Sequence, residues 1–426
     1  MAGKVEKFQS PGKGNGLRAA RDLDVGEMVA NAEPFVYTVC REKNRGTTCH
    51  HCLHRNEKLQ RCSQCKFAQY CNLLCQKNAW KDHKKECLCL KSIFPNVPTD
   101  SVRLIGKIIF KLLEQPDCGS GDLYSINDLQ SHFKELNKEM KEGLGHLAAT
   151  LEQYLKREIQ VSTQLPPGFH ILEYFGKVTC NSFTISDGEM QDVGVGLYPS
   201  MSLLNHSCDP NCVIVFEGTC LQLRSVKKIL KGEELTISYI DVKMPTHLRQ
   251  VQLQRQYSFT CDCHCCLSKD KDEDMLAGDS ESSKEMEHSV TALEQLFSQG
   301  KREEASDVAR KQLNNSGLPD KNIHQLKVLD LAMDSCINLG MWEEALKYGF
   351  RTLKPYSIYY SNYHPVRAVQ IMRVGKLQLH QEMFPQAMET LKQAFEIMKV
   401  THGQGHSLTR DLTQLIQDCE IGLRQT

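Results

Sequence analysis

Between residues 49 and 87 the chain sets out eight metal-ligating side chains in four close pairs: Cys49 and Cys52, Cys62 and Cys65, Cys71 and Cys75, His83 and Cys87. Each pair is spaced so that both side chains can reach one ion, and Zn²⁺ takes four such sulfur or nitrogen ligands in a tetrahedron. Eight ligands therefore specify two zinc ions. So short a segment, poor in apolar residues, cannot offset its chain entropy with a core, and metal must supply its folding energy. Disulfides are the competing use of these cysteines. Met1–Ser10 carries no apolar signal core, so the chain is expected in the cytoplasm and nucleus, where thiols stay reduced. Cys89 falls outside the pairing and reads as a bystander.

Charge sharpens this picture. The chain has 52 basic and 52 acidic side chains, which argues against whole-chain attraction to nucleic acid or an anionic membrane. The balance is uneven, however: Arg41–Lys91 holds 12 Lys and Arg against 4 Asp and Glu. The paired-ligand segment is thus a basic island that permits contact with DNA or an acidic protein face. No stretch approaches the ~18 consecutive apolar residues of a spanning helix, so no membrane partner is expected.

At 426 residues, with 40% apolar and 24% charged side chains, the chain has the balance of two or three folded domains. Val102, Ile105, Ile108, Ile109, Leu112 and Leu113 recur at helical spacing, and Leu123–Ile159 continues that pattern. From Cys180 to Tyr239 short β-like runs take over, clearest at Val213–Phe216, Leu221–Arg224 and Leu235–Tyr239. Ser268–Lys284, rich in charge, Gly and Ser, reads as a linker. Beyond it the chain repeats. Gly300-Lys-Arg-Glu-Glu-Ala305 matches Gly340-Met-Trp-Glu-Glu-Ala345, Met341–Ala345 matches Met383–Ala387, and His324, His364 and His406 follow the same offsets. A period near 40, slightly longer than the roughly 34-residue tetratricopeptide unit, predicts stacked helix pairs. They serve either as a stabilising domain or as a concave peptide-binding surface.

Three more segments carry chemistry. Gly12-Lys-Gly-Asn-Gly16 is a glycine-punctuated turn without the Gly-Lys-Ser/Thr ending of a phosphate loop. Asn205-His-Ser-Cys-Asp-Pro-Asn211 places seven polar residues between apolar runs. Gly232-Glu-Glu-Leu-Thr-Ile-Ser-Tyr239 is a turn feeding a strand, on which Leu235, Ile237 and Tyr239 share a face. Alone, Tyr239 reads as a core tyrosine. Downstream, Cys261-x-Cys263-x2-Cys266 supplies three further ligands, with Cys265 leaving the register ambiguous.

In this order the segments resemble the SET domain of protein-lysine methyltransferases. The eight-ligand segment, with Tyr70 and Cys75-Gln-Lys-Asn-Ala-Trp80, resembles a MYND finger. A MYND finger inserted into a SET domain marks the SET- and MYND-domain family, and the resemblance covers essentially the whole chain. It implies an α+β fold. The amino-terminal SET segment spans 1–48, the finger 49–87, a helical insert 92–179 and the SET core 180–240. A post-SET zinc loop at 241–268 and a tetratricopeptide-like helical domain at 279–426 complete it.

The resemblance also implies methyl transfer from S-adenosylmethionine to a lysine nitrogen by in-line displacement, on histone tails or other proteins. Tyr239 is the implied catalytic residue, with Phe183, Tyr257 and Tyr198 at the lysine channel. Cofactor contacts fall on Lys13, Asn15, Tyr124, His132, Asn205, His206, Tyr239 and Phe259. His132 departs from the Asn that close relatives can carry. Cys208 is the implied fourth ligand of a third zinc with Cys261, Cys263 and Cys266. Family partners imply proline-rich peptides at the finger and a chaperone at the helical domain; a monomer is expected. The rival reading is an interaction adaptor whose SET domain has little activity.

Overall fold

A computed structural model describes residues 3–41, 46–115 and 123–425. Residues 42–45 of the basic island lie outside the described residues. The architecture is α+β: the described residues form five small sheets, with one run of helices between strands Gln69–Tyr70 and Ser182–Ser186 and another after Thr236–Ile237.

Strand Val5–Ser10 pairs antiparallel with Gly14–Ala19. Strands Cys212–Glu217 and Cys220–Ser225 form the hairpin that the alternation predicts, and Met28–Ala32 adds to its edge. A third sheet joins Val36–Val39, Asp192–Leu197 and Ser182–Ser186, with Asp192–Leu197 central. Its first strand precedes the finger and the helical insert, and its others follow them. Finger and insert therefore interrupt one sheet.

The run Leu235–Tyr239, expected as a five-residue strand, forms a ladder only at Thr236–Ile237, parallel to Asn205–His206. The difference has a physical reason: its backbone groups go to other segments. Leu235 N–H donates to the Leu17 carbonyl, and Tyr239 N–H donates to His206 Nδ1 at 3.0 Å. The shared face survives, with Leu235 and Ile237 buried.

Helix Asp100–Glu114 buries Val102, Ile105, Ile108, Ile109 and Leu112 of the six positions its periodicity marks and leaves Leu113 exposed. Helices Lys138–Leu155 and Ile171–Asn181 complete the insert. The expected linker is ordered instead. Met275 is fully buried against Leu326, Tyr356, Tyr359 and Tyr360, Asp272 Oδ1 accepts from Thr246 N–H, and Asn322 Nδ2 donates to the Ala277 carbonyl. Its polar side chains serve as caps and bridges, which composition alone reads as solvation.

After residue 279 the chain is seven antiparallel-stacked helices, from Ser280–Ser298 to Ser407–Gln425. The repeat marks their turns. Gly300 and Gly340 take positive φ between helices, and Glu382 fills the matching place in the third copy at φ 57°. His364 and His406 each accept a backbone N–H two residues on, from Val366 and Leu408.

The helical domain seats on the SET core through its last turns. His406 bonds the Phe216 carbonyl at 3.0 Å, and Ser407 N–H donates to Glu217. His402 is buried beside His406 and Arg224, and burial, then those two neighbours, pushes its pKa down to about 3. A histidine held neutral in the native state and free to protonate when unfolded destabilises the fold as pH falls below its ordinary ~6.5. Stability should therefore drop by up to about 1.4 kcal/mol per pH unit from this group between pH 6.5 and pH 5. Denaturant titrations across that range should show a shallower pH slope in His402→Asn than in the parent; equal slopes would refute the assignment.

Candidate active site and zinc sites

The ligand pairs assemble crosswise. Cys49, Cys52, Cys71 and Cys75 converge as one group, and Cys62, Cys65, His83 and Cys87 as another, each with its ligand atoms within 4.8 Å of one another. The helix Leu73–Ile93, capped by Asn72 accepting from Cys75 N–H at 2.9 Å, carries His83 and Cys87 on one face. Four soft donors in a compact group are the donor set of structural zinc. Cys208, Cys261, Cys263 and Cys266 form a third such group. The register ambiguity resolves here: Cys266 joins the cluster and Cys265 does not. Cys89 is buried away from all three groups.

Sequence reasoning missed the residues around these groups. Arg249 is buried, and its Nη2 lies 3.7 Å from Cys266 Sγ. There its positive charge offsets one of the two negative charges that four thiolates would leave on Zn²⁺. The Gln250 side chain clamps Cys261, donating to its carbonyl at 2.7 Å and accepting from its N–H at 2.9 Å. Both residues sit about one turn into helix Thr246–Tyr257, where no motif flags them.

Beside the third group lies a cleft of about 550 Å³, lined by Lys13, Asn15, Tyr124, His132, Asn205, His206, Tyr239, Tyr257 and Phe259, among others. All eight residues singled out for the cofactor meet here. The glycine turn explains part of this: a Cβ on Gly16 would lie 3.0 Å from both Asn205 Nδ2 and Glu234 Oε1. Only glycine lets the Asn205 amide close on Glu234, to which it donates at 2.8 Å. Asn211 stitches the same segments, donating to the Glu234 carbonyl and accepting from Thr236 N–H. His132 holds a left-handed backbone at φ 46°, a conformation that His and Asn both tolerate.

The cleft's inner wall is aromatic. Tyr239 and Tyr257 rings lie 4.8 Å apart, and Phe259 meets Tyr239 edge-on at 6.3 Å. Tyr239 donates its hydroxyl proton to the Leu204 carbonyl at 2.5 Å, and burial raises its pKa. It is a neutral phenol. Burial pushes His206 down to about 4, so its Nδ1 is an acceptor for Tyr239 N–H. Cys180 and Asn181, which sequence reasoning passed over, also line the cleft.

Two predicted channel residues lie outside this wall. Tyr198 is a correction: it is fully buried, donates to the Thr219 carbonyl at 2.6 Å and packs on Phe216. It is core, because the strand Asp192–Leu197 ends there and turns it inward. Phe183 is half-buried and meets the Tyr198 ring edge-on at 5.7 Å.

A family model for the SET domain matches residues 14–240. The chain is 54% identical to the histone-lysine N-methyltransferase SMYD3 of Mus musculus over 99% of each chain, and 53% identical to that of Homo sapiens over 99% of each. It is 33% identical to the N-lysine methyltransferase SMYD2 of Gallus gallus, over 98% of each.

The zinc assignment makes a direct prediction. Elemental analysis should find three zincs per chain in the parent and in Cys265→Ser, and two in Cys266→Ser. Three zincs in Cys266→Ser would overturn the ligand set.

Proposed function

Because the chain belongs to the SET- and MYND-domain family of protein-lysine methyltransferases, we propose that it methylates lysine side chains of proteins, histone tails and non-histone proteins alike. The observation that carries the mechanism is the meeting of Tyr239 with Asn205, His206, Tyr257 and Phe259 in one cleft. S-adenosylmethionine, when bound, supplies a methyl group already activated for displacement by its sulfonium. The protein's task is then to position, desolvate and hold charge.

Lys13, Asn15, Asn205 and His206 hold the methionine and nucleoside moieties, with Tyr124 and His132 covering them and Phe259 offering its ring face. Tyr239 and Tyr257 wall the lysine channel. A lysine amine attacks only when neutral, and an aromatic wall favours that form because desolvation penalises the ammonium. With its own proton committed to Leu204, the Tyr239 oxygen accepts from the amine N–H and orients its lone pair. His206 does not act as base: Nδ1 is occupied by Tyr239 N–H, and Nε2 faces Cys208 Sγ at 3.3 Å. The proton leaves by way of solvent.

A second role belongs to the finger. Leu73, Leu74 and Trp80 are exposed by 74%, 64% and 39%, and Leu73 and Trp80 flank a groove with Gln76 and Lys77. That surface suits proline-rich peptides, which dock on aromatic and apolar ridges. An enzyme of this kind works on proteins of the cytoplasm and nucleus.

Tyr239→Phe should cut methyl transfer to a lysine peptide by roughly 10²–10³-fold, the scale of losing one preorganised polar contact, while calorimetry finds cofactor affinity unchanged. Parent-level activity in that variant would remove this mechanism.

A further inference from the structure

The group Cys62, Cys65, His83 and Cys87 has a buried ionic surrounding that zinc coordination alone does not require. Glu86, 2% exposed, turns Oε2 toward His83 Nδ1 at 3.5 Å, while His83 Nε2 faces Cys65 Sγ at 3.6 Å. Its Oε1 accepts from Arg103 Nε at 2.9 Å and pairs with Nη2 at 2.8 Å. Arg103 is 1% exposed and covers the Phe67 ring of the finger at 4.7 Å. Lys107 reaches Glu86 Oε2 at 3.3 Å. Arg103 and Lys107 both belong to helix Asp100–Glu114 of the insert.

A charge count gives this arrangement meaning. Three thiolates and a neutral histidine leave one negative charge on Zn²⁺, and Glu86 adds a second. Arg103 and Lys107 offset both, and Asp100, 24% exposed and 3.7 Å from Arg103 Nη1, adds a carboxylate at the rim. Among the buried groups Glu86 is the anion that faces His83 and also holds Arg103 and Lys107 against the finger. Removing one partner of such a buried charge pair is strongly destabilising. The chain of contacts continues into the catalytic sheet. Lys107 Nζ donates to the Tyr37 carbonyl at 3.0 Å, and Lys111 Nζ to the Phe35 carbonyl at 2.7 Å. Val36–Val39 pairs with Asp192–Leu197, whose other neighbour is Ser182–Ser186, the strand that follows the cleft residues Cys180 and Asn181.

We propose that Glu86 is a positioning residue that couples zinc occupancy of the Cys62–Cys65–His83–Cys87 site to the insert helix and through it to the sheet beside the lysine channel. The finger is then a brace of the catalytic domain as well as a docking face. This rests on the three-zinc assignment of the candidate site. Fewer than three zincs in the parent strikes at that reading, whereas three zincs with an unaltered Glu86→Gln strikes at this inference alone.

The experiment follows zinc release from full-length holoprotein to the chromophoric chelator 4-(2-pyridylazo)resorcinol, with hydrogen exchange read by mass spectrometry. In Glu86→Gln one zinc of three should leave roughly 10–100-fold faster, the scale of losing a partner behind a metal-bound histidine. Exchange should rise in Asp100–Glu114 and Val36–Val39, and stay unchanged in Pro365–His380. Glu86→Gln combined with Lys107→Met removes one of the two cations that Glu86→Gln leaves without their carboxylate and should slow release relative to Glu86→Gln alone. Release at the parent rate, or an exchange rise confined to residues 49–91, overturns the proposal. The parent itself gives a reading that needs no variant to fold. As chelator is added stepwise, peptides holding Cys62–Cys87 and Asp100–Glu114 should lose protection together. A helix that keeps its protection after the finger has lost it contradicts the coupling.

Discussion

The cleft depends on one convergence, that of Cys208 with Cys261, Cys263 and Cys266. Cys208 lies two residues past His206 on the cofactor wall, and Cys261 lies two residues past Phe259 on the channel wall, so the cluster sets the gap between the walls. Cys208 and Cys266 are 58 positions apart, with sulfur atoms 3.5 Å from each other. Unbound thiols would have little reason to gather so closely, and thiolates would repel. A divalent cation turns that repulsion into attraction, and the buried Arg249 offsets part of the charge left over. With the walls fixed, the Tyr239 hydroxyl, the Asn205 amide and the aromatic rings keep their relative places without depending on flexible loops.

A second constraint is the parallel crossing of Asn205–His206 with Thr236–Ile237. It lets one segment serve two purposes, because its backbone pairs while its side chains face the cleft. The Gly16 contact belongs to the same knot. Around it the finger, the insert and the carboxy-terminal helices act as braces at different edges. Lys243 and Asp330, paired at 3.1 Å and largely buried, tie the helical domain to the segment that follows Tyr239.

Much of this was legible in the sequence wherever chemistry imposes spacing. Metal ligands must come in close pairs, apolar helix positions must recur at three and four, and the repeat near 40 marks the helix turns. The eight residues that meet in the cleft were legible through family resemblance, since nothing in their spacing alone brings Lys13, Tyr124 and Phe259 together. What stayed hidden was pairing between distant segments. The shortened strand at Thr236–Ile237 follows from partners at Leu17 and His206, which no local pattern encodes. Tyr198 looked like a channel residue because it neighbours the motif, yet the strand end turns it into the core. Glu86, Arg103 and Arg249 are charged residues on helices, where composition predicts solvent; only the folded arrangement shows that they balance buried metal sites. The same blindness made Ser268–Lys284 read as a linker when its charges are caps and bridges.

The third zinc, on this account, holds the cofactor wall and the lysine channel in register. Calorimetric titration of S-adenosylmethionine into Cys208→Ser, with hydrogen exchange on the finger as a control for folding, tests that claim most directly. Cofactor affinity and methyl transfer should fall together while finger protection is unchanged. Affinity at the parent level in a protein lacking that zinc would contradict it.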